Sequence, residues 1–316
     1  MIEFREVTID MKPLVDSYFR NSGNMGCEFT FSNLFIWRKK NKTTIAEYKG
    51  FLFVRYIIGG KCYFLRPVAK SPETDIKPAF EALIEYTRAT CCKLVIAGIT
   101  SEGKAQIEGV MPDIFDFEAR PDWFDYIYNA DDLINLRGSK YQAKRNHINK
   151  FEQLKGKDTF EEMGSHNIAD CLETYNRWAA ARDQEELRDE QAAVAEALNN
   201  FEALGLKGGL SRSGGNVCAF TVGAELSSDV FVIHIEKGLI ECVGVYAAIN
   251  RDFARHYLRG YRYINREEDM GIEGLRKAKQ SYYPAIHLEK NIAVLRDRKQ
   301  ESTAGYTDRL SEQIAT

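Results

Sequence analysis

The strongest constraint on this chain is an order of elements that runs twice. Helical spacing marks Met11–Phe19 and Phe29–Trp37. The period then drops to two over Thr43–Tyr48, Phe51–Ile57 and Cys62–Arg66, with turns at Lys49-Gly50 and Gly59-Gly60. A helix is expected over Asp75–Thr90, a continuous apolar strand over Leu94–Ile99, a helix over Glu102–Met111, and two aromatic-rich strands within Asp113–Tyr128. The second half repeats the sequence. Helices are expected over Asn167–Ala181 and Gln191–Leu204, then a meander over Gly208–Leu210, Val217–Ala224 and Val230–Glu236. A helix over Ala247–Arg259, a strand over Tyr261–Ile264, a helix over Ile272–Tyr283 and one or two strands in Ile286–Leu295 complete it. Two such runs in 316 residues argue for duplicated α/β units with mixed sheets flanked by helices.

Composition narrows the class. The hydrophobic fraction of 44% suits a globular protein, and a net charge of -3 leaves nucleic-acid contact only to a local basic patch. No apolar run approaches the ~20 residues of a spanning helix, and Met1–Asp10 does not resemble a secretory signal. The seven cysteines are odd in number, scattered and without a C-x-x-C pair. Buried free thiols in a reducing cytoplasm are the expectation, with no zinc site and no disulfide framework. The polar segment after Arg296 reads as a loose tail.

The densest polar stretch is Tyr261–Pro284. A short strand exits at Asn265 into Glu268 and Asp269, Gly271 and Gly274 flank a helix start, and Pro284 ends that helix. Ile272, Leu275 and Tyr282 are expected to share its buried face. A carboxylate beside an exposed helix N-terminus can orient an attacking amine or hydroxyl, take its proton, or face a developing oxyanion. Glu268 and Asp269 are the candidate bases, and Arg276 or Lys279 the candidate cations. An equally weighted structural reading makes Asp269 a cap and the charges ordinary surface pairs.

Asn265-Arg-Glu-Glu-Asp-Met-Gly, Gly274-Leu-Arg-Lys-Ala-Lys and Ser281-Tyr-Tyr-Pro resemble the proteins grouped with the C-terminal domain of phosphatidylglycerol lysyltransferase. So do Glu28–Trp37 and Gly138–Phe151, and the likeness runs to about Arg296. It implies two tandem acyltransferase folds of the N-acetyltransferase (GNAT-like) type: 1–135, a basic linker helix 136–158, 159–298, and a polar tail 299–316. It also implies transfer of an aminoacyl group from a charged tRNA to a lipid head group. The family's large membrane portion does not precede this stretch, which weakens the lipid expectation.

Two further constellations bear on chemistry. The linker carries Lys140, Lys144 and Arg145 among other cations, expected either to hold phosphates of a coenzyme, a tRNA acceptor end or a head group, or to form a solvated basic face. The segment Lys237–Tyr246 lacks the glycine-rich pyrophosphate loop that an acetyl-coenzyme A enzyme carries after this strand. His234 and His256 are alternative bases, with His234 read first as a satisfied core histidine. The chain shows no P-loop, no H-E-x-x-H and no Ser-His-Asp pattern.

The expectation is an acyltransferase that uses Asn265, Glu268, Asp269 and Arg276, with Lys140, Lys144, Arg145 and Lys279 on phosphate. Its donor would be aminoacyl-tRNA or acyl-CoA, its acceptor a small molecule or lipid head group, and it would need no metal or bound cofactor. The rival expectation is a binding protein that keeps the fold without the reaction. Both place the two charged regions around one cavity.

Overall fold

The computed structural model describes residues 1–296 apart from Asp158 and Ala181; the expected tail lies outside the described residues. The strands of the first half are β1 (Arg5–Glu6), β2 (Thr44–Tyr48), β3 (Phe51–Ile58), β4 (Lys61–Leu65), β5 (Val68–Ala69), β6 (Val95–Ile99), β7 (Phe115–Ala119) and β8 (Asp125–Asn129). Those of the second half are β9 (Phe160–Glu162), β10 (Lys207–Ser213), β11 (Asn216–Glu225), β12 (Val230–Gly238), β13 (Tyr263–Asn265), β14 (Ile286–Leu288) and β15 (Asn291–Leu295). The helices are α1 (Lys12–Phe19), α2 (Phe31–Ile36), α3 (Arg38–Asn41), α4 (Lys77–Ala89), α5 (Ser101–Val110), α6 (Ala130–Asn135) and α7 (Gln142–Lys155). After them come α8 (Ile168–Ala180), α9 (Gln184–Asn199), α10 (Val245–Tyr257) and α11 (Glu273–Gln280).

Two mixed sheets result. One runs β1-β2-β3-β4-β6-β15-β7, with β5 beside β3; the other runs β14-β8-β13-β12-β11-β10-β9. Each contains one parallel pair reached through a helix, β4 with β6 and β12 with β13. The duplicated α/β order is therefore real.

The boundaries drawn at 135 and 159 do not follow the sheets. β8 belongs to the second sheet, between β14 and β13, and β15 inserts into the first, between β6 and β7. The cores interlock as well: Phe29, Phe31, Leu34 and Phe35 share one apolar cluster with Tyr175, Leu198, Phe220 and Val232. Such an interface resembles a core more than a domain contact, so the halves act as one body.

Two local features position the site. β12 and β13 pair only over Val230–Val232 and Tyr263–Asn265, and β12 continues to Gly238, so the strands part beyond Val232. Gly244, at φ +88°, caps α10; a Cβ there would lie 2.1 Å from the His147 carbonyl oxygen. Only glycine lets the linker helix α7 rest directly on the start of α10.

The α11 face matches expectation only at its end. Tyr282 is buried in an apolar cluster, but Ile272 is 53% exposed and Leu275 half-buried, whereas Lys279 is only 8% exposed. Lys279 packs on loop carbonyls, so the buried side of the helix itself centres on a cation.

Candidate functional site

The exit of β13 is shaped by one left-handed residue. Strand alternation sends Asn265 toward the N-terminal half and Arg266 the opposite way. Glu267 then takes φ +58°, breaking the alternation. Glu267 and Glu268 consequently both reach N-terminal residues: Glu267 accepts from Asn33, and Glu268 from the Cys27 thiol at 3.5 Å.

Lys279 holds this bend. Its ammonium donates to the carbonyl oxygens of Arg266, Glu267 and Glu268, the last two at 3.0 and 2.6 Å. Burial lowers its pKa, and its donors face protein backbone. It is thus a loop anchor here, not a group free to meet phosphate. Asn265, fully buried, is likewise committed. Its amide donates to Met25 and Asp125, and its oxygen accepts from the Glu267 N–H.

Asp269 is a saturated clamp. It is 2% exposed and accepts from Tyr126 at 2.6 Å, from the Gly271 N–H at 2.9 Å and from Arg276 at 2.8 and 2.9 Å. The Arg276 guanidinium holds its carboxyl well below the usual aspartate range. A carboxylate so occupied has little basicity and no free lone pair for a substrate. Arg276 also pairs with Asp122 at 3.0 Å. The pair is thus a clamp on the loop ahead of α11 and not a helix cap, since the N-cap Ile272 has no side-chain cap, and it is separate from Glu268.

Glu268 stands apart. It is half-buried, and the Cys27 thiol is its sole side-chain donor among the described residues. Burial pushes its pKa up to about 7, with Glu267 and Asp125 adding to the rise and Lys290 opposing it. A carboxyl that exchanges its proton near neutrality suits general acid–base work.

Around it lies a group that sequence reasoning missed. The Lys290 ammonium sits 2.7 Å from Glu28, 2.8 Å from Asp125 and 3.6 Å from the Cys27 sulfur. Burial would lower the Lys290 pKa, but the surrounding carboxylates raise it well above the ordinary value. Cys27, Glu28 and Asp125 have the spacing of a cation site. The ammonium already supplies the positive charge there. Burial and the Asp125 charge raise the Cys27 thiol, so it is not a thiolate nucleophile.

Where β12 and β13 part, two side-chain pairs bridge the gap. His234 is buried, with Nδ1 2.8 Å from Glu267 and Nε2 2.8 Å from the Ser32 hydroxyl. A carboxylate only accepts, so Nδ1 donates to Glu267, and in the tautomer with its hydrogen on Nδ1 the Nε2 accepts from Ser32. His234 is satisfied on both nitrogens, yet the pattern is also serine–histidine–carboxylate, assembled from residues 202 and 33 positions apart. Ser32 itself is 2% exposed. On the other side Arg266 pairs with Glu236 at 2.7 Å, and Asn250 donates to the same carboxylate. Arg266 Nη1 and Asn250 Oδ1 remain buried without partners.

Of the linker cations only Lys144 reaches this region. It donates to Ser281 at 2.6 Å and lies 3.8 Å from the Tyr282 ring centre. Burial, then Arg266, lower its pKa to about 8. Lys140 pairs with Asp132 at 3.7 Å. Arg145 donates to the carbonyls of Leu136 and Gly138, tying down the turn before α7. Lys140 and Arg145 are thus held by Asp132 and by the turn before α7, apart from Lys144 and Ser281. Two cavities of about 410 Å³ lie away from the β13 exit, one on α1 and the other beside α10.

This architecture has solved counterparts. A conserved protein of unknown function from Bacteroides thetaiotaomicron VPI-5482 matches at 36% identity and TM-score 0.90, over 94% of this chain and 100% of that one. L-PGS from Bacillus licheniformis matches at 13% identity and TM-score 0.66, over 96% and 97%, a likeness of fold. No curated protein matches the sequence. The fold is thus the two-sheet α/β architecture of a transferase family. The family model for phosphatidylglycerol lysyltransferase, C-terminal, matches residues 19–294, and the chain belongs to that family. Among the described residues no helix is long and apolar enough to cross a membrane.

Proposed function

We propose that the protein moves an acyl group, of the aminoacyl kind, from an activated ester donor to an amine or hydroxyl acceptor at the β13 exit. Glu268 is the general base. The acceptor gives its proton to the Glu268 carboxylate as its nitrogen or oxygen attacks the donor carbonyl. Collapse of the tetrahedral intermediate breaks the bond to the leaving hydroxyl or thiol, which takes the proton back from Glu268. Lysyl transfer to a phosphatidylglycerol head group, the activity in the family's name, is one instance of this chemistry. The carrying observation is that Glu268, with its pKa raised to about 7, accepts from one side chain among the described residues, the Cys27 thiol.

Aminoacyl-tRNA is favoured over acyl-coenzyme A as donor by one contact. The His147 carbonyl packs on Gly244, so α7 lies where the N-terminus of α10 would otherwise be open to a pyrophosphate. The test is transfer of a labelled aminoacyl group from charged tRNA, and of an acyl group from coenzyme A, to phosphatidylglycerol and to small amines. Wild type and Glu268→Gln are compared.

A second reading has its own support. Two cavities of about 410 Å³, on α1 and beside α10, lie away from Glu268. A binding protein of this family would stabilise a ligand complex without turnover, which a thermal-shift screen with the same donors and acceptors detects.

A further inference from the structure

The cavity beside α10 lies at the other end of that helix from Gly244, and nothing in the acyl-transfer reading uses it. Its walls carry Arg251, Arg255 and Arg259, spaced four residues apart, with Lys157 opposite. Arg251 and Arg255, one turn apart on α10, lie about 6 Å apart along the helix and share one face, and Arg259 follows in the turn just past its end. Two carboxylates, Glu152 and Asp252, also line it, and both are already bound by Arg251, at 2.9 and 2.7 Å.

The other two arginines are differently engaged. Arg255 gives only Nε to the protein, to the Ile134 carbonyl at 2.9 Å. Arg259 gives only Nε, to the Arg255 carbonyl at 2.8 Å. These backbone contacts fix the planes of both guanidinium groups. Their terminal nitrogens have no partner among the described residues. Burial, then the neighbouring Arg251, lower the pKa of the exposed Arg255, with Arg259 adding to the fall and Asp252 and Glu152 opposing it. Among the described lining residues, four cations against two carboxylates leave an excess that one dianion would neutralise. Guanidinium forks match the oxygens of a phosphoryl group, and a phosphate monoester carries close to two charges at neutral pH.

We propose that this cavity is a binding site for a small phosphate-bearing anion, held by the terminal nitrogens of Arg255 and Arg259 with Lys157 as a third charge. It is separate from the Glu268 exit. At about 410 Å³ it has the size of a small-molecule site.

The experiment is isothermal titration of the full-length protein with inorganic phosphate and with glycerol 3-phosphate, at constant ionic strength in chloride. Arg259→Gln and Arg255→Gln are titrated alongside, with Lys150→Gln, an exposed α7 cation outside the cavity, as control. Saturable one-to-one binding is expected, weakened about tenfold or more by either arginine change and unmoved by Lys150→Gln. Arg259 lies past the end of α10, so its variant folds even if Arg255→Gln does not. Phosphate binding without the ester gain points to a free-anion site; tighter ester binding points to a phosphorylated metabolite; both support the proposal. Binding equal in wild type and Arg259→Gln overturns it. So does the absence of binding, or binding only of a short single-stranded RNA with a steep salt dependence.

Discussion

The Lys290 ammonium lies 2.8 Å from the Asp125 carboxylate, which is completely buried, and 2.7 Å from Glu28. One side chain near the end of the described chain thus neutralises acids from two distant segments, at the junction of the two sheets. Removing it leaves two carboxylates inside the protein without a counter-charge. Lys290→Met is expected to cost about 3–5 kcal/mol of stability, read as a lower urea midpoint at pH 7. If Glu28 and Asp125 are only peripheral to the fold, the midpoint will not move.

Glu268 has the opposite electrostatics. Its pKa is raised, so the folded state holds its proton more tightly than the unfolded chain. Its contribution to stability is full below the ordinary glutamate range and is lost as pH rises through about 7. Glu268→Gln removes that loss. The variant should match wild type near pH 4 and exceed it in thermal stability at pH 8. Equal differences at both pH values would show that Glu268 is not perturbed.

The Asp269–Arg276 clamp behaves as structure. The depressed Asp269 pKa adds stability that is full above the ordinary aspartate range and falls away as the pH drops below it. Arg276→Ala leaves a buried carboxylate uncompensated and should lower the urea midpoint at pH 7. Asp269→Ala should cost about 2 kcal/mol through lost charged hydrogen bonds. Denaturation curves at pH 7 and pH 3 check both, and the cost of Asp269→Ala should shrink at the lower pH.

Gly244 is a steric test of the linker packing. A Cβ at this position meets the His147 carbonyl at 2.1 Å on a left-handed backbone. Gly244→Ala is expected to destabilise the protein by about 3 kcal/mol, because backbone must move on both sides. A variant as stable as wild type would mean that α7 does not rest on α10.

Much of the fold was legible because period and turn chemistry are local. The meander of β10 to β12, the parallel β13 and the final β14 and β15 stand where Val217–Ala224, Val230–Glu236, Tyr261–Ile264 and Ile286–Leu295 suggested them. Partner choice is not local. Nothing in Asp125–Asn129 says that its neighbour is β13, or in Asn291–Leu295 that it completes the first sheet. The buried face of α11 was legible only at Tyr282. Three carbonyls of the preceding loop accept the Lys279 ammonium and make it, not Ile272, the inward residue.

The site was legible in part. Asn265, Glu268, Asp269 and Arg276 do gather at one strand exit, but they divide into a scaffold and one lightly bound acid. Cys27, Asp125 and Lys290 went unseen because they approach each other only through the exchanged strands. Ser32 and Glu267 stood inside stretches that resembled the family. Their link through His234 needed the parting of β12 from β13.

The central claim is that Glu268 carries the proton in acyl transfer. The most direct measurement is the rate of labelled aminoacyl transfer from charged tRNA to phosphatidylglycerol, followed from pH 5.5 to 8.5 in wild type and Glu268→Gln. The account predicts a wild-type rate that rises with pH through about 7 and a variant slower by about 10²–10⁴, both proteins equally folded. A variant that transfers at the wild-type rate, with the same pH profile, would contradict it.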